Sequence, residues 1–145
     1  MPRVEIQVDS DVPAERVLAA ATDFSERRPD YWPNISRKYY RVHGQGPGWA
    51  ECTEGGDAIG GIWARERYEW SGNRVVGTML DSNIFSSGTW TLTSERRNVG
   101  SRTTVVFDRR FKGKGYVFLP MVLLAGKRMF TAHLEKTLDA VRDAP

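Results

Sequence analysis

The sequence predicts an α+β fold: a curved antiparallel sheet of about seven strands, covered by one long C-terminal helix, with two short helices after the first strand. Three observations predict it. Residues 3–9, RVEIQVD, alternate strictly, with Val4, Ile6 and Val8 on one face and Glu5 and Gln7 on the other. From residue 36 onward about six strand-like runs follow one another, most over short connections, which favours an antiparallel meander. The chain then ends in a helical pattern from about Phe118 or Pro120 to Val141, the only element long enough to lie across such a sheet.

Each element follows from its residues. After the first strand, DVPAERVLAAATDF sets Asp11 ahead of Pro13 as a helix start, with Ala14, Val17, Leu18 and Ala21 at helical spacing. SERRPDYWPNIS is interrupted by Pro29 and Pro33 and reads as a short helical turn, then a loop that buries Trp32. The strands are SRKYYRV, WAECTE, IGGIWARERYEW (59–70), RVVGTMLDS, SGTWTLTSE and RTTVVFDRRF, with turns at HGQGPG, GGD, SGN and RRNVGS. In the last helix Val122, Gly126, Met129, Phe130, His133, Leu134, Thr137, Leu138 and Val141 share one half, while Arg128, Glu135, Asp139 and Arg142 share the other. Leu119, Val122, Leu123, Gly126 and Phe130 are expected to face the sheet, whereas Met121 and Leu124 lie off the main stripe.

Composition narrows the classes. At 145 residues and 40% hydrophobic the chain suits a single domain, residues 1–145, with a proper core. A net charge of +3 is mildly basic, and the basic pairs Arg27-Arg28, Arg37-Lys38 and Arg109-Arg110, with Lys112 and Lys114, are spread out as on a solvated surface. No recognition helix or aromatic RNA-binding motif accompanies them, so no nucleic-acid partner is expected. One cysteine excludes an internal disulfide, and two histidines beside it, widely separated, predict no metal site and no cofactor. GQGPG lacks the lysine and Ser/Thr of a phosphate loop and precedes a strand, so it is read as a tight connection. MPRVEIQVDSD carries acids and no apolar core, so no secretory signal is visible and a cytoplasmic location is the default expectation. The uncharged run Tyr116–Gly126 covers only roughly 16 Å of a bilayer core about 30 Å thick, so no transmembrane segment is expected.

Asp23-Phe24 followed by Trp32-Pro33, the GQGPG connection, the GTWTLT strand and the long last helix together resemble the polyketide cyclase/dehydrase and START-like (SRPBCC) superfamily, which includes the birch-pollen allergens. The resemblance covers nearly the whole chain, and none of these pieces is a catalytic fingerprint. It implies the helix-grip fold, a sheet wrapped around the long helix with an elongated cavity between them. Members bind lipids, sterols, quinones, polyketides or other hydrophobic molecules, and some catalyse cyclisation, dehydration or hydrolysis in the cavity.

Within that frame the chemistry-bearing candidates are few. On IWARERYEW, alternation puts Ile62, Ala64, Glu66, Tyr68 and Trp70 on the more apolar face, which carries Glu66 inward. A desolvated carboxyl there has a raised pKa and suits general acid or base work; the plainer role is a structural contact with an arginine, Tyr68 or His133. His133, on the apolar helix stripe, suits proton transfer near neutral pH or simply packs there. Asp108 faces out if Val105 and Phe107 face in, which is the more apolar phase of its strand. Tyr68, Trp70, Met79 (or Leu80), Trp90, Leu119, Leu123, Gly126, Phe130 and His133 are the expected ligand-binding wall. Three functions follow: a carrier or sensor for a hydrophobic small molecule, a cyclase/dehydratase using Glu66 or His133, or an interaction protein with a filled interior. Transient contact with a lipid surface and assembly into a homodimer stay open as further partners.

Overall fold

The computed structural model describes residues 3–57 and 60–144. Its strands are β1 (Arg3–Ser10), β2 (Arg41–Gly46), β3 (Trp49–Gly56), β4 (Ile62–Ser71), β5 (Arg74–Ser82), β6 (Phe85–Arg96) and β7 (Ser101–Phe111). Helices α1 (Ala14–Ala21) and α2 (Arg28–Tyr31) follow β1, and a 3-10 helix, Gly113–Phe118, leads into α3 (Leu119–Asp143). All strand pairs are antiparallel, in the order β1-β7-β6-β5-β4-β3-β2. This is the helix-grip arrangement. β1 returns to pair with β7, and α3 lies against β1 and the concave face.

Some local expectations shift. Ser36–Tyr39 form a turn closed by the Tyr39 N–H on the Ser36 carbonyl (3.0 Å), so β2 starts only at Arg41. Gly44 and Gly46 of HGQGPG then belong to the strand, and the hairpin turn narrows to Pro47-Gly48, with Gly48 at φ +76°. The expected start of the next strand, Ile59, lies outside the described residues, and β4 begins at Ile62. Asp11 does not cap α1; Pro13 occupies that position without a side-chain cap, and Asp11 instead accepts from Arg142 Nε at 2.7 Å. Between Met79 and Asp81 the β4–β5 register slips, since Glu66 faces Met79 and Arg65 faces Asp81. Leu80 is the unmatched residue and stays exposed; Val75, Gly77 and Met79 face inward by plain alternation, and the slip brings Ser82 inward after them.

The continuous segment Gly113–Asp143 is long and apolar enough to cross a bilayer, with a window of mean hydropathy 1.2. Packing is what gives it another role. Val122, Gly126, Leu134, Thr137, Leu138 and Val141 are buried, so α3 covers the sheet as a core helix does. Gly126 allows this closeness, because a Cβ there would stand 3.1 Å from Val4 Cγ2 on β1.

Candidate functional site

Between α3 and the concave face lies a cavity of about 310 Å³. Its wall includes Phe85 and Trp90 of β6, Phe107 of β7 and Phe130 of α3, with Phe107 in edge or tilted contact with Phe85 and Phe130 and Trp90 edge-on to Tyr68. Strand alternation brings in Glu54, which ends the inward row of β3, Glu66 and Tyr68 on β4 and Arg109 on β7, and Arg28, which opens α2, joins them from a fourth element. Two glycines make the room. A Cβ on Gly77, the cross-strand partner of Tyr68, would sit 2.7 Å from the Tyr68 ring. On Gly88, opposite Arg109 and at φ +142°, it would sit 2.6 Å from Arg109 Cγ.

These five side chains form one ion and hydrogen-bond network. Arg28 Nε donates to Glu54 Oε2 at 2.6 Å, while its Nη1 reaches the carbonyls of Ala21 (3.0 Å) and Asp23 (3.2 Å). Its guanidinium lies 4.1 Å from the centre of the Phe24 ring. Tyr68 Oη contacts Glu54 Oε1 closely and Glu66 Oε2 at 2.9 Å, and Arg109 Nη2 donates to Glu66 Oε1. Arg28 is 2% and Glu66 3% exposed, so water does little screening here. Among the described residues, Arg109 Nε is the buried side-chain polar atom left without a partner.

The protonation pattern follows from counting hydrogens. Tyr68 carries one hydroxyl proton and cannot donate to two carboxylates at once. The network is satisfied when Tyr68 donates to Glu54 and a protonated Glu66 donates to Tyr68. Burial pushes the Glu66 carboxyl above the usual carboxylate range, against the downward pull of Arg109, and Glu54 adds to the rise. Burial, reinforced by Glu54 and Glu66, also holds the Tyr68 hydroxyl well above its ordinary value. Tyr68→Phe is expected to cost about 1–3 kcal/mol, since it strips both carboxyls of a shared partner; urea unfolding measures it.

His133 lines the same cavity, edge-on to Phe130 at 6.5 Å between ring centres, with its pKa lowered by burial and by Lys136. A base whose folded pKa is depressed contributes stability that is present above its unfolded value, 6.5, and lost as pH falls. The His133 contribution is thus expected to decline on mild acidification, opposite in sign to that of Glu66, and the stability difference between wild type and His133→Gln in unfolding curves should shift against wild type as pH falls through 6.5.

Of the expected binding wall, Tyr68, Trp90, Phe130 and His133 line the cavity. The other five lie elsewhere. Leu123 is 67% exposed, a correction to its expected sheet-facing position: it is one residue, about 100°, around from Val122 on the buried stripe. Trp70 stacks on Phe24 beyond the cavity, at 5.7 Å between ring centres. Met79, Leu119 and Gly126 pack into the core outside the lining. Val105 and Phe107 do face in, leaving Asp108 half-exposed.

Arg28 and Arg109 overturn the expectation that the basic pairs are solvated surface. A signal for one was present. With Val105 and Phe107 inward, period 2 carries Arg109 inward beside Phe111. Likewise Ala50 and Cys52 inward carry Glu54 inward. Two inward carboxyls call for buried cations, and the strand phases supply one of them.

The family model described as polyketide cyclase / dehydrase and lipid transport matches residues 1–144. Similar solved structures include a protein of Thermus thermophilus, at 17% identity over 97% of each chain with TM-score 0.80. A START superfamily protein of Mycobacterium smegmatis aligns at 18% identity over 94% of this chain and 93% of its own, TM-score 0.73. The Zhui aromatase/cyclase of a Streptomyces species aligns at 15% identity over 96% of this chain and 90% of its own, TM-score 0.70. At these identities the structures share the fold alone. No curated protein matches the sequence at a significant level.

Proposed function

Because the chain belongs to the polyketide cyclase/dehydrase and lipid transport family, we propose that it binds a hydrophobic small molecule in its cavity and anchors one ligand oxygen on Arg109. The observation that carries this reading is the pairing of an aromatic-walled cavity of about 310 Å³ with one unpartnered buried donor, Arg109 Nε. Cavities of this size suit small ligands of a few rings or a short acyl chain. A carbonyl, enolate or carboxylate oxygen accepting from Nε would complete the network.

Binding is favoured over catalysis because both Glu66 oxygens are engaged, one by Arg109 and the other by Tyr68. The enzymatic alternative, proton transfer in a cyclase/dehydratase-type reaction, is favoured by the raised pKa of Glu66 and by His133 lining the same space. Two naphthalene probes on one ring frame test the binding reading: anionic anilinonaphthalene sulfonate and neutral N-phenyl-1-naphthylamine. Both are expected to bind and to displace each other, the anion more tightly. If neither binds and nothing apolar copurifies by native mass spectrometry, the binding reading fails. Glu66→Gln is expected to leave probe affinity broadly intact; abolished turnover on a polyketide-like substrate would instead favour the enzyme.

A further inference from the structure

The outward face of the first turns of α3 is apolar where a core helix should be polar. Val117, from the 3-10 helix that leads in, and Pro120, Leu123 and Leu124 of α3 are spaced three or four residues apart along this face, with Leu124 88%, Val117 68% and Leu123 67% exposed. Tyr116 joins them from the 3-10 helix. Single exposed apolar residues are ordinary, but a contiguous ridge marks a contact surface.

Charge identifies the kind of contact. From residue 109 to 134 the sequence contains no Asp or Glu. Arg110, Lys112, Lys114, Lys127 and Arg128 are exposed around the ridge, and none takes part in an ion pair among the described residues. Surface arginines elsewhere are neutralised, as Arg102 is by Asp9 and Arg142 by Asp11. The continuing helical steps place Lys127 and Arg128 on the same face, directly after Leu123 and Leu124. Met121 ties this surface to the interior, being 43% exposed and also part of the cavity lining.

We propose that this ridge docks on an anionic lipid bilayer, with the apolar side chains entering the interface, the cations against the headgroups and the cavity mouth facing the lipid. A polar-ringed apolar helix face of this kind lies in the plane of an interface, and long cationic side chains reach to headgroups from its edge. A second copy is disfavoured, since a two-fold contact would set the same unpaired cations against one another. Spanning is disfavoured too, because α3 would have to leave β1 and expose its buried stripe. The proposal shares the cavity mouth with the ligand-binding reading and rests on it only for its purpose, since docking is read without a ligand.

Co-sedimentation with vesicles of phosphatidylcholine alone, and of phosphatidylcholine mixed with phosphatidylserine, tests it. Binding is expected only to the mixed vesicles, with release as salt is raised. Lys127→Gln and Arg128→Gln should each lower the partition coefficient roughly five-fold. Leu123→Ser with Leu124→Ser should lower it by about tenfold or more, without moving the unfolding midpoint, because both residues are exposed. Indifference to anionic lipid, or equal loss on Arg41→Gln on β2, the edge strand at the other end of the sheet order from β1, overturns the proposal. So does a dimer in ultracentrifugation that Leu124→Ser dissolves, which would make a second copy the occupant. Vesicle binding lost while the naphthalene probes still bind sinks docking alone; probes lost while vesicles still bind sinks the cavity reading alone.

Discussion

Replacing Arg28 with methionine is expected to destabilise the fold by about 3–5 kcal/mol, the cost of removing one partner from a buried ion pair. Arg28 is 2% exposed and holds three elements together: its Nε binds Glu54 of β3, and its Nη1 binds the carbonyls that close α1 and the loop after it. Methionine fills much of the volume but leaves the Glu54 carboxylate facing Tyr68 alone in a low-dielectric setting. Lysine should rescue little, because one ammonium cannot match the guanidinium fork, which serves a carboxylate and two carbonyls at once. The informative comparison is Arg28→Met with Glu54→Leu. Removing both charges should recover a large part of the loss, since a buried pair replaced by apolar groups is often near neutral. Urea unfolding of the two single variants and the double variant measures the coupling; simple additivity would mean that the contact in the structure does not carry the effect.

Replacing Arg109 with methionine is expected to act on stability and binding together. The stability loss should be smaller than at Arg28 under acidic conditions, because Glu66 can keep a proton and still donate to Tyr68. The pH dependence has a definite sign. Glu66 has a folded pKa raised above 4.5, so its contribution is fully present below the unfolded value and is lost as pH rises through the folded one. Without the pull of Arg109 the folded value climbs further, and the loss extends to higher pH. The gap between wild type and Arg109→Met in urea midpoint should therefore widen from mildly acidic to mildly alkaline solution. For binding, the lost charge-assisted bond predicts roughly a 10- to 100-fold weaker affinity for the anionic naphthalene probe. Affinity for the neutral probe should change little. Equal loss for both probes would mean that the variant has collapsed the cavity rather than removed an anchor.

The sheet, the covering helix and their order were legible because each strand alternates with period 2 and α3 keeps a helical stripe for most of its length. The inward set Ala64, Glu66 and Tyr68 was readable for the same reason, as was Trp90. Arg28 was not. It belongs to a four-residue helix too short to show a face, next to an exposed Arg27, and only tertiary packing decides which of the two is buried. Arg109 was readable in principle from the phase of Val105 and Phe107, yet an Arg-Arg pair at a strand end suggests solvent. Leu123 failed for the opposite reason: on a helix turn apolar all round, hydrophobicity carries no information about which side faces the sheet. The slip at Leu80 depends on pairing between strands, which one strand's pattern does not encode.

The central claim is that an apolar ligand in the cavity is anchored on Arg109 Nε, and the N–H of that atom reports on it directly. In an ¹H–¹⁵N spectrum of the arginine side chains, the Arg109 signal is assigned by its disappearance in Arg109→Met. Titration with the anionic naphthalene probe is expected to shift that signal in step with binding, while the neutral probe leaves it nearly in place. If the anionic probe saturates the protein and the Arg109 signal does not move, the anchoring claim is contradicted.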